Sequence, residues 1–322
     1  MLDFCTTIIP AAASVVSRVE SRPCPNFWLI HFIFLFFLFP SAWACILQDD
    51  AGHTLKLMQP AQRIVSLSPD LTEILLSLGA EKSLVGVIAG SDYPPQAKKI
   101  RRVGDYHALD KELIIALHPD LIVAWGESHV QELDFFRHLS IPVYVSHPQH
   151  LLDIPHTIKA LGCLAGQSQK ADQIANQFIQ NYHQLSKKYG QIYSGQSRVR
   201  VFYEIAAHPL MSINRRSWIN EAIELCGGQN LFAQEYFSDL FKQTAFTLSL
   251  ESVLKANPQV IIAGLPPGWQ RQWQAWPNLV AVKSGSLISI NPDLIERPGP
   301  RILEGVEEMC KHLNPTLSIR SE

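Results

Sequence analysis

Three aromatic residues stand where a parallel α/β protein places its ligands. Tyr93 lies in the loop after the apolar run 84–87, Tyr106 in a loop after a short extended piece, and Trp125 ends the apolar run 121–125. Loops at the carboxyl ends of such strands collect binding residues. A tryptophan there is a flat wall for a ligand, and a loop tyrosine serves either as a contact or as a packed lid over the core. Other chemistry has less support. His147, His150 and His156 crowd one segment as metal ligands would, but Pro148 and Pro155 interrupt them. Their spacing is not that of a helical ligand pair, and they read as polar loop residues. The sequence contains no GxSxG elbow, HExxH, Walker A or GxGxxG pattern. These residues point to a cleft that binds and releases its ligand without transforming it.

Two similar halves and one helix must position that cleft. Residues 170–189 carry Ala171, Ile174, Ala175, Phe178, Ile179, Tyr182, Leu185 and Tyr189 at helical spacing, with no Gly or Pro between them. Gly190 follows as the expected C-cap. Such a helix spans about 30 Å, enough to cross a domain. On either side lies the same pattern. Glu112-LIIALH-Pro119 leads into the apolar run LIVAW, and Glu251-SVLKAN-Pro258 leads into VIIA. The Glu-to-Pro spacing is identical, which predicts two related α/β lobes joined by one continuous helix. A rigid connection of this kind predicts small lobe movements. Within the first lobe, Ile64–Leu67 reads as a strand. Ser68 then acts as N-cap and Pro69 opens a helix with stripe Leu71, Ile74, Leu75 and Leu78. The aromatic stretch 230–247 reads as a rim cover.

The 322 residues are 47% hydrophobic with a formal net charge of -2, enough for real cores and giving no reason to expect nucleic acid as a partner. The N-terminus reads as an export leader. Arg18 and Arg22 precede the apolar run 27–40, and Ser41-Ala42-Trp43-Ala44 offers a cleavage site before Cys45. The expected product is a soluble periplasmic protein cut near Ala44/Cys45. Lipid attachment at Cys45 is the lesser alternative, because Ala42 and Trp43 fit a lipobox poorly. Export favours paired thiols, and Cys45, Cys163, Cys226 and Cys310 allow three pairings. The expected organisation is a leader at 1–44, an N-terminal hairpin at 45–61, a first lobe at 62–150, a connecting segment at 151–195 and a second lobe at 196–322.

Several stretches together resemble the helical-backbone class of periplasmic substrate-binding proteins, and within it the vitamin B12 branch that feeds an ABC importer. They are Arg63-IVSLSPDLTE, Ser91-DYPPQA, Glu112-LIIALHPDLIVAW, Cys226-GGQNLF and Glu296-RPGPRI followed by Cys310. They span nearly the whole chain after the leader. The resemblance implies two Rossmann-like lobes with a ligand cleft between them. It implies cobalamin as the transported ligand, with no cofactor, and a monomer that docks on a permease dimer at the inner membrane. It assigns ligand contact to Tyr93, Tyr106, Trp125 and the loop Asp293, Leu294, Ile295, Glu296 and Arg297. It assigns transporter docking to Glu112 and Glu251, one per lobe, and pairs Cys226 with Cys310.

The chain departs from that family in three places. Gly90 stands where the family has a ligand-contacting tyrosine, a wall that Tyr93 could supply instead. Residues 233–247 are longer than the family's equivalent, and the N-terminal hairpin is extra. Haem or a ferric siderophore is the alternative ligand of the same class. Tyr93, Tyr106 or His107 would be axial ligands for haem, and Arg215, Arg216, Arg297 and Arg301 would serve an anionic siderophore. An exported enzyme on a two-lobed fold is the reading from a different class. It lacks a visible nucleophile or metal set.

Overall fold

The computed structural model describes residues 44–126, 128–190, 197–234 and 244–314. The expected leader, apart from Ala44, lies outside the described residues. So do Glu127 and, within the expected rim cover, Tyr236, Phe237 and Phe241.

The chain opens with an antiparallel hairpin, β1 (Cys45–Gln48) and β2 (Thr54–Leu57), turned at Gly52 with φ +88°. The first lobe follows as β3 (Ile64–Ser66), α1 (Pro69–Ser77), β4 (Leu84–Val87), α2 (Lys111–Ala116), β5 (Leu121–Trp125), α3 (Val130–His138) and β6 (Val143–Ser146). Helix α4 (Ile154–Leu164) packs on the long α5 (Ser168–Tyr189), which leads to the second lobe. There β7 (Val199–Glu204), β8 (Ala206–Ala207) and β9 (Leu210–Ile213) precede α6 (Trp218–Leu225), β10 (Gly228–Asn230) and β11 (Ala245–Thr247). The lobe continues through α7 (Leu250–Ala256), β12 (Val260–Ala263), α8 (Arg271–Gln274), α9 (Val280–Lys283) and β13 (Leu287–Ser289). It ends with α10 (Pro292–Ile295) and α11 (Ile302–Leu313).

Each lobe is built on a four-stranded parallel sheet, ordered β4-β3-β5-β6 in the first and β10-β7-β12-β13 in the second. In both, the first strand lies between the second and third, with the fourth beyond. The repeat extends to side chains. His118 and Asn257, at matching offsets after Glu112 and Glu251, both take φ 45° to end α2 and α7. Arg63 donates to the carbonyls of Leu117 and His118, and Arg200 to those of Ala256 and Asn257. Asp120 Oδ1 accepts from the Arg63 amide at 2.8 Å, and Gln259 Oε1 from the Arg200 amide at 2.9 Å. The shared glutamate-to-proline spacing is thus the visible part of a duplicated helix-to-strand joint.

Strand alternation divides the core. Leu121, Val123, Val201, Tyr203, Val260 and Ile262 face a single apolar cluster that runs through both lobes by way of α4, α5, α6 and α11. The opposite faces form separate clusters, one with Ile122 and Ala124, the other with Phe202 and Ile261. Disulfides Cys45–Cys163 and Cys226–Cys310 fasten β1 to α4 and the end of α6 to α11.

Five details differ from the sequence reading, and the first is His156, read as a loop residue, which is the third residue of α4. Helix α5 begins at Ser168, because its first polar residues carry no apolar period to mark them. Gly190 closes that helix with φ -67°, inside the right-handed region, so its lack of a Cβ is not what ends the helix. Ser68 occupies the N-cap position, yet its hydroxyl donates to Asp70 and caps no backbone N–H. Phe232 and Phe246 belong to the outer core of the second lobe and do not cover the rim.

Candidate functional site

The strands of both sheets end at one cleft of about 550 Å3. Helices that alternate with parallel strands run antiparallel to them, so the starts of α1, α2 and α7 lie toward the same edge. From the first lobe come Leu67 to Asp70 at the β3–α1 turn, Ile88 and Ala89 after β4, then Tyr106, Trp125 and Ser128. From the second come Ile205 after β7, Ser217 to Ile219 at the start of α6, and Pro292, Asp293, Glu296 and Arg297 after β13.

Trp125 and Trp218 meet across the lobes edge to face, with ring centroids 5.6 Å apart and planes at 81°. Each is held from behind. The His147 ring lies 5.3 Å from Trp125, and the Trp218 indole N–H donates to the Ile295 carbonyl at 2.9 Å. Ser217 caps α6 by accepting from the Ile219 amide, which places Trp218 at the first helical position. Trp218 is absent from the sequence-derived set. Its one signal is a serine cap before an aromatic residue, which reads equally as ordinary helix packing.

The remaining candidates divide into those that line the cleft and those that support it. Tyr106 lines it and is 71% exposed. Asp293, Glu296 and Arg297 line it, whereas Leu294 and Ile295 lie beneath, Ile295 fully buried. Tyr93 does not line it. The Arg301 guanidinium stacks on the Tyr93 ring at 3.3 Å from its centroid, and Arg301 in turn holds Glu73 with two hydrogen bonds of 2.7 Å. Gly90 is exposed beside Pro69. The aromatic residue facing Trp125 is therefore Trp218 of the second lobe, and Tyr93 does not fill the Gly90 gap.

Arg297 bonds Asp92 of the first lobe at 2.9 Å and Asp293 at 2.8 Å. Burial pulls the Asp92 carboxyl upward, but the hydrogen bond and charge of Arg297 outweigh it and hold the group below its ordinary value. Two other cleft acids move the opposite way. Burial pushes Glu296 up to about 7 against the stabilising hydroxyl of Tyr203, 2.9 Å away, with Asp293 adding to the rise. Burial likewise pushes Asp70 up to about 6, opposed by the Ser68 hydroxyl and the first helical N–H groups and reinforced by Glu73. Of the four arginines considered for an anionic ligand, only Arg297 lines the cleft among the described residues, and carboxylates already hold it.

Glu112 and Glu251 occupy the same second position in α2 and α7, capped by Asp110 and Ser249, and both are exposed. His150 lies 3.5 Å from Glu221, whose carboxylate also accepts from the Leu151 amide and the Tyr182 hydroxyl. That cluster ties the connecting segment and α5 to the second lobe.

The chain is 34% identical over 259 residues to the vitamin B12-binding protein of Vibrio cholerae serotype O1, covering 79% of this chain and 90% of that one. It is 33% identical over 261 residues to the vitamin B12-binding protein of Yersinia pestis, covering 79% and 87%. The crystal structure of the periplasmic vitamin B12 binding protein BtuF of Vibrio cholerae superposes with a TM-score of 0.70, covering 80% of this chain and 98% of that one. The paired sheets, the helix between them and a family match over residues 64–294 agree: the chain belongs to the periplasmic binding protein family.

Proposed function

We propose that this chain captures cobalamin in the cleft between its lobes and delivers it to an ABC importer. The observation that carries the reading is the Trp125–Trp218 pair at the carboxyl ends of both sheets, beside a cleft arginine that two carboxylates already neutralise. A large, nearly neutral ring rimmed with amides needs aromatic walls and scattered polar groups more than a cationic cluster. An anionic siderophore would call for free arginines, and Tyr93, one of the axial candidates for haem, is packed under Arg301. The names of the relatives support the same ligand.

In this reading Glu112 and Glu251 are the docking points for the two permease subunits, a pseudo-two-fold pair meeting a two-fold partner. The chain works as a monomer, carries no cofactor and catalyses no reaction. It reaches the periplasm by way of the leader at 1–44. The Cys45–Cys163 disulfide supports simple cleavage over a lipid anchor at Cys45. Calorimetric titration of the purified protein with cyanocobalamin, with haemin as control, tests the assignment. One-to-one submicromolar binding of cyanocobalamin is the expected result, and tight haemin binding with no heat from cyanocobalamin would overturn it.

A further inference from the structure

Asp70 lines the cleft and is 4% exposed. Its Oδ1 accepts from the Ser68 hydroxyl, whereas Oδ2 has no hydrogen-bond partner among the described residues. Among the described residues no cation acts on it. The side-chain charge that acts on it is Glu73, of the same sign, and Glu73 is itself held by Arg301. Arg297, the cation that lines the cleft among the described residues, is engaged by Asp92 and Asp293. An acid in the first turn of a helix is favoured by the helix dipole. That accounts for a carboxylate at this place but not for an oxygen buried without a donor. Such an oxygen carries a desolvation cost unless a partner arrives.

We propose that Asp70 is a specificity-determining residue of the cleft. Its unpartnered oxygen accepts a hydrogen bond from a carboxamide N–H on the rim of the ligand and disfavours ligands that carry a carboxylate there. The inference rests on the cobalamin reading and adds which ligand group the β3–α1 turn recognises. A primary amide brings two N–H donors, whereas a carboxylate brings only acceptors and a second negative charge into a poorly solvated corner. With burial raising Asp70 to about 6, it is mostly ionised near neutral pH and acts as the acceptor. Asparagine at the same position keeps the size and an oxygen for Ser68 but replaces the second oxygen with a donor, which weakens the preference.

The test is calorimetric titration of the full chain and its Asp70→Asn variant at about pH 7.5. The probes are cyanocobalamin and the cyanocobalamin monocarboxylic acids in which one peripheral amide is hydrolysed. In the unaltered protein at least one acid isomer is expected to bind about tenfold or more weakly than cyanocobalamin, the range of one buried hydrogen bond to a charged group. Asp70→Asn is expected to shrink that ratio at least about fivefold for the same isomer. A thermal melt checks that the variant is folded, and Asp70→Ala, which removes acceptor and charge together, should shrink the ratio without reversing it. Equal discrimination by the unaltered protein and both variants overturns the role of Asp70 and leaves the cobalamin reading standing. Failure of the unaltered protein to bind cyanocobalamin overturns both.

Discussion

Arg301 of the second lobe grips Glu73 of the first through two parallel hydrogen bonds of 2.7 Å, with the Tyr93 ring stacked beneath its guanidinium. Glu73 is almost fully buried and Arg301 is mostly so. Removing the carboxylate leaves a cation in a poorly solvated place. Glu73→Gln should therefore lower the unfolding free energy in urea by about 2–3 kcal/mol, somewhat less than for a wholly buried pair. Tyr93→Ala should cost about 1 kcal/mol through the lost cation–π contact. It should leave cyanocobalamin affinity within about twofold, since a side chain outside the cleft lies within the error of a surface change. A large loss of affinity in Tyr93→Ala would put that ring back among the ligand contacts.

The tryptophan pair supplies the opposite expectation. Trp125→Ala and Trp218→Ala should each weaken cyanocobalamin binding by about tenfold or more, as truncation of a buried aromatic anchor does. Trp218→Ala also frees the Ile295 carbonyl and removes buried area, so its melting temperature should fall more than that of Trp125→Ala. Titration and thermal unfolding of the two variants side by side separate the effects. Unchanged affinity in both would remove the cleft from consideration as the cobalamin site.

Stability should fall as pH rises toward neutrality. Asp70 moves from an ordinary 3.8 up to about 6, and Glu296 from 4.5 up to about 7. Between about pH 4 and pH 7 the folded chain thus holds more protons at these sites than the unfolded chain, and the unfolding free energy declines across that window. At about 1.4 kcal/mol per unit, the two shifts together amount to about 6 kcal/mol at most. Asp92, held low by Arg297, contributes in the other direction, and its share is lost as pH falls below its unfolded value of 3.8. Urea midpoints should accordingly be higher near pH 5 than near pH 7.5. Asp70→Asn combined with Glu296→Gln should flatten the profile, and an unchanged profile in that variant would refute the assignment.

The exposed acids at the starts of α2 and α7 should act only on delivery. Glu112→Arg and Glu251→Arg are expected to leave stability within about 0.5 kcal/mol, as surface changes usually do, and cyanocobalamin affinity unaltered. Cobalamin uptake through a reconstituted importer should drop for each single change and further for the pair. Uptake that survives the double change would exclude these residues as docking points.

Replacing Cys226 and Cys310 with serine opens a loop of 84 residues. The chain-entropy account puts the loss at about 4–5 kcal/mol. Urea titration of the double variant measures it.

Local periodicity carried a good part of this fold. Strand β3 into α1, the long α5 and the paired joints at Glu112 and Glu251 follow from apolar spacing and proline stops, because burial on one face leaves its mark in neighbouring residues. Resemblance pointed to the Cys226–Cys310 bridge, where spacing alone left three pairings open. Partners far apart in the chain left no such trace. Tyr93 sits in a legible loop, yet its environment is decided by Arg301 in the other lobe. Trp218 reads as the first residue of an ordinary capped helix, and only the assembled lobes turn it toward Trp125. Asp70 looks like a routine first-turn acid until its surroundings show one oxygen without a donor.

The single apolar cluster that joins the inner faces of both sheets through α4, α5, α6 and α11 has a thermodynamic corollary. Neither lobe has an inner core of its own to retain if the other melts, so the two should denature in one transition. Free energy gained at the cleft is then spread over the whole molecule. Bound cobalamin should slow amide exchange in strands remote from the ligand, in β10 as much as in β5. Occupancy would register as a rise in resistance to unfolding shared by both lobes, with only a small change in the angle between them.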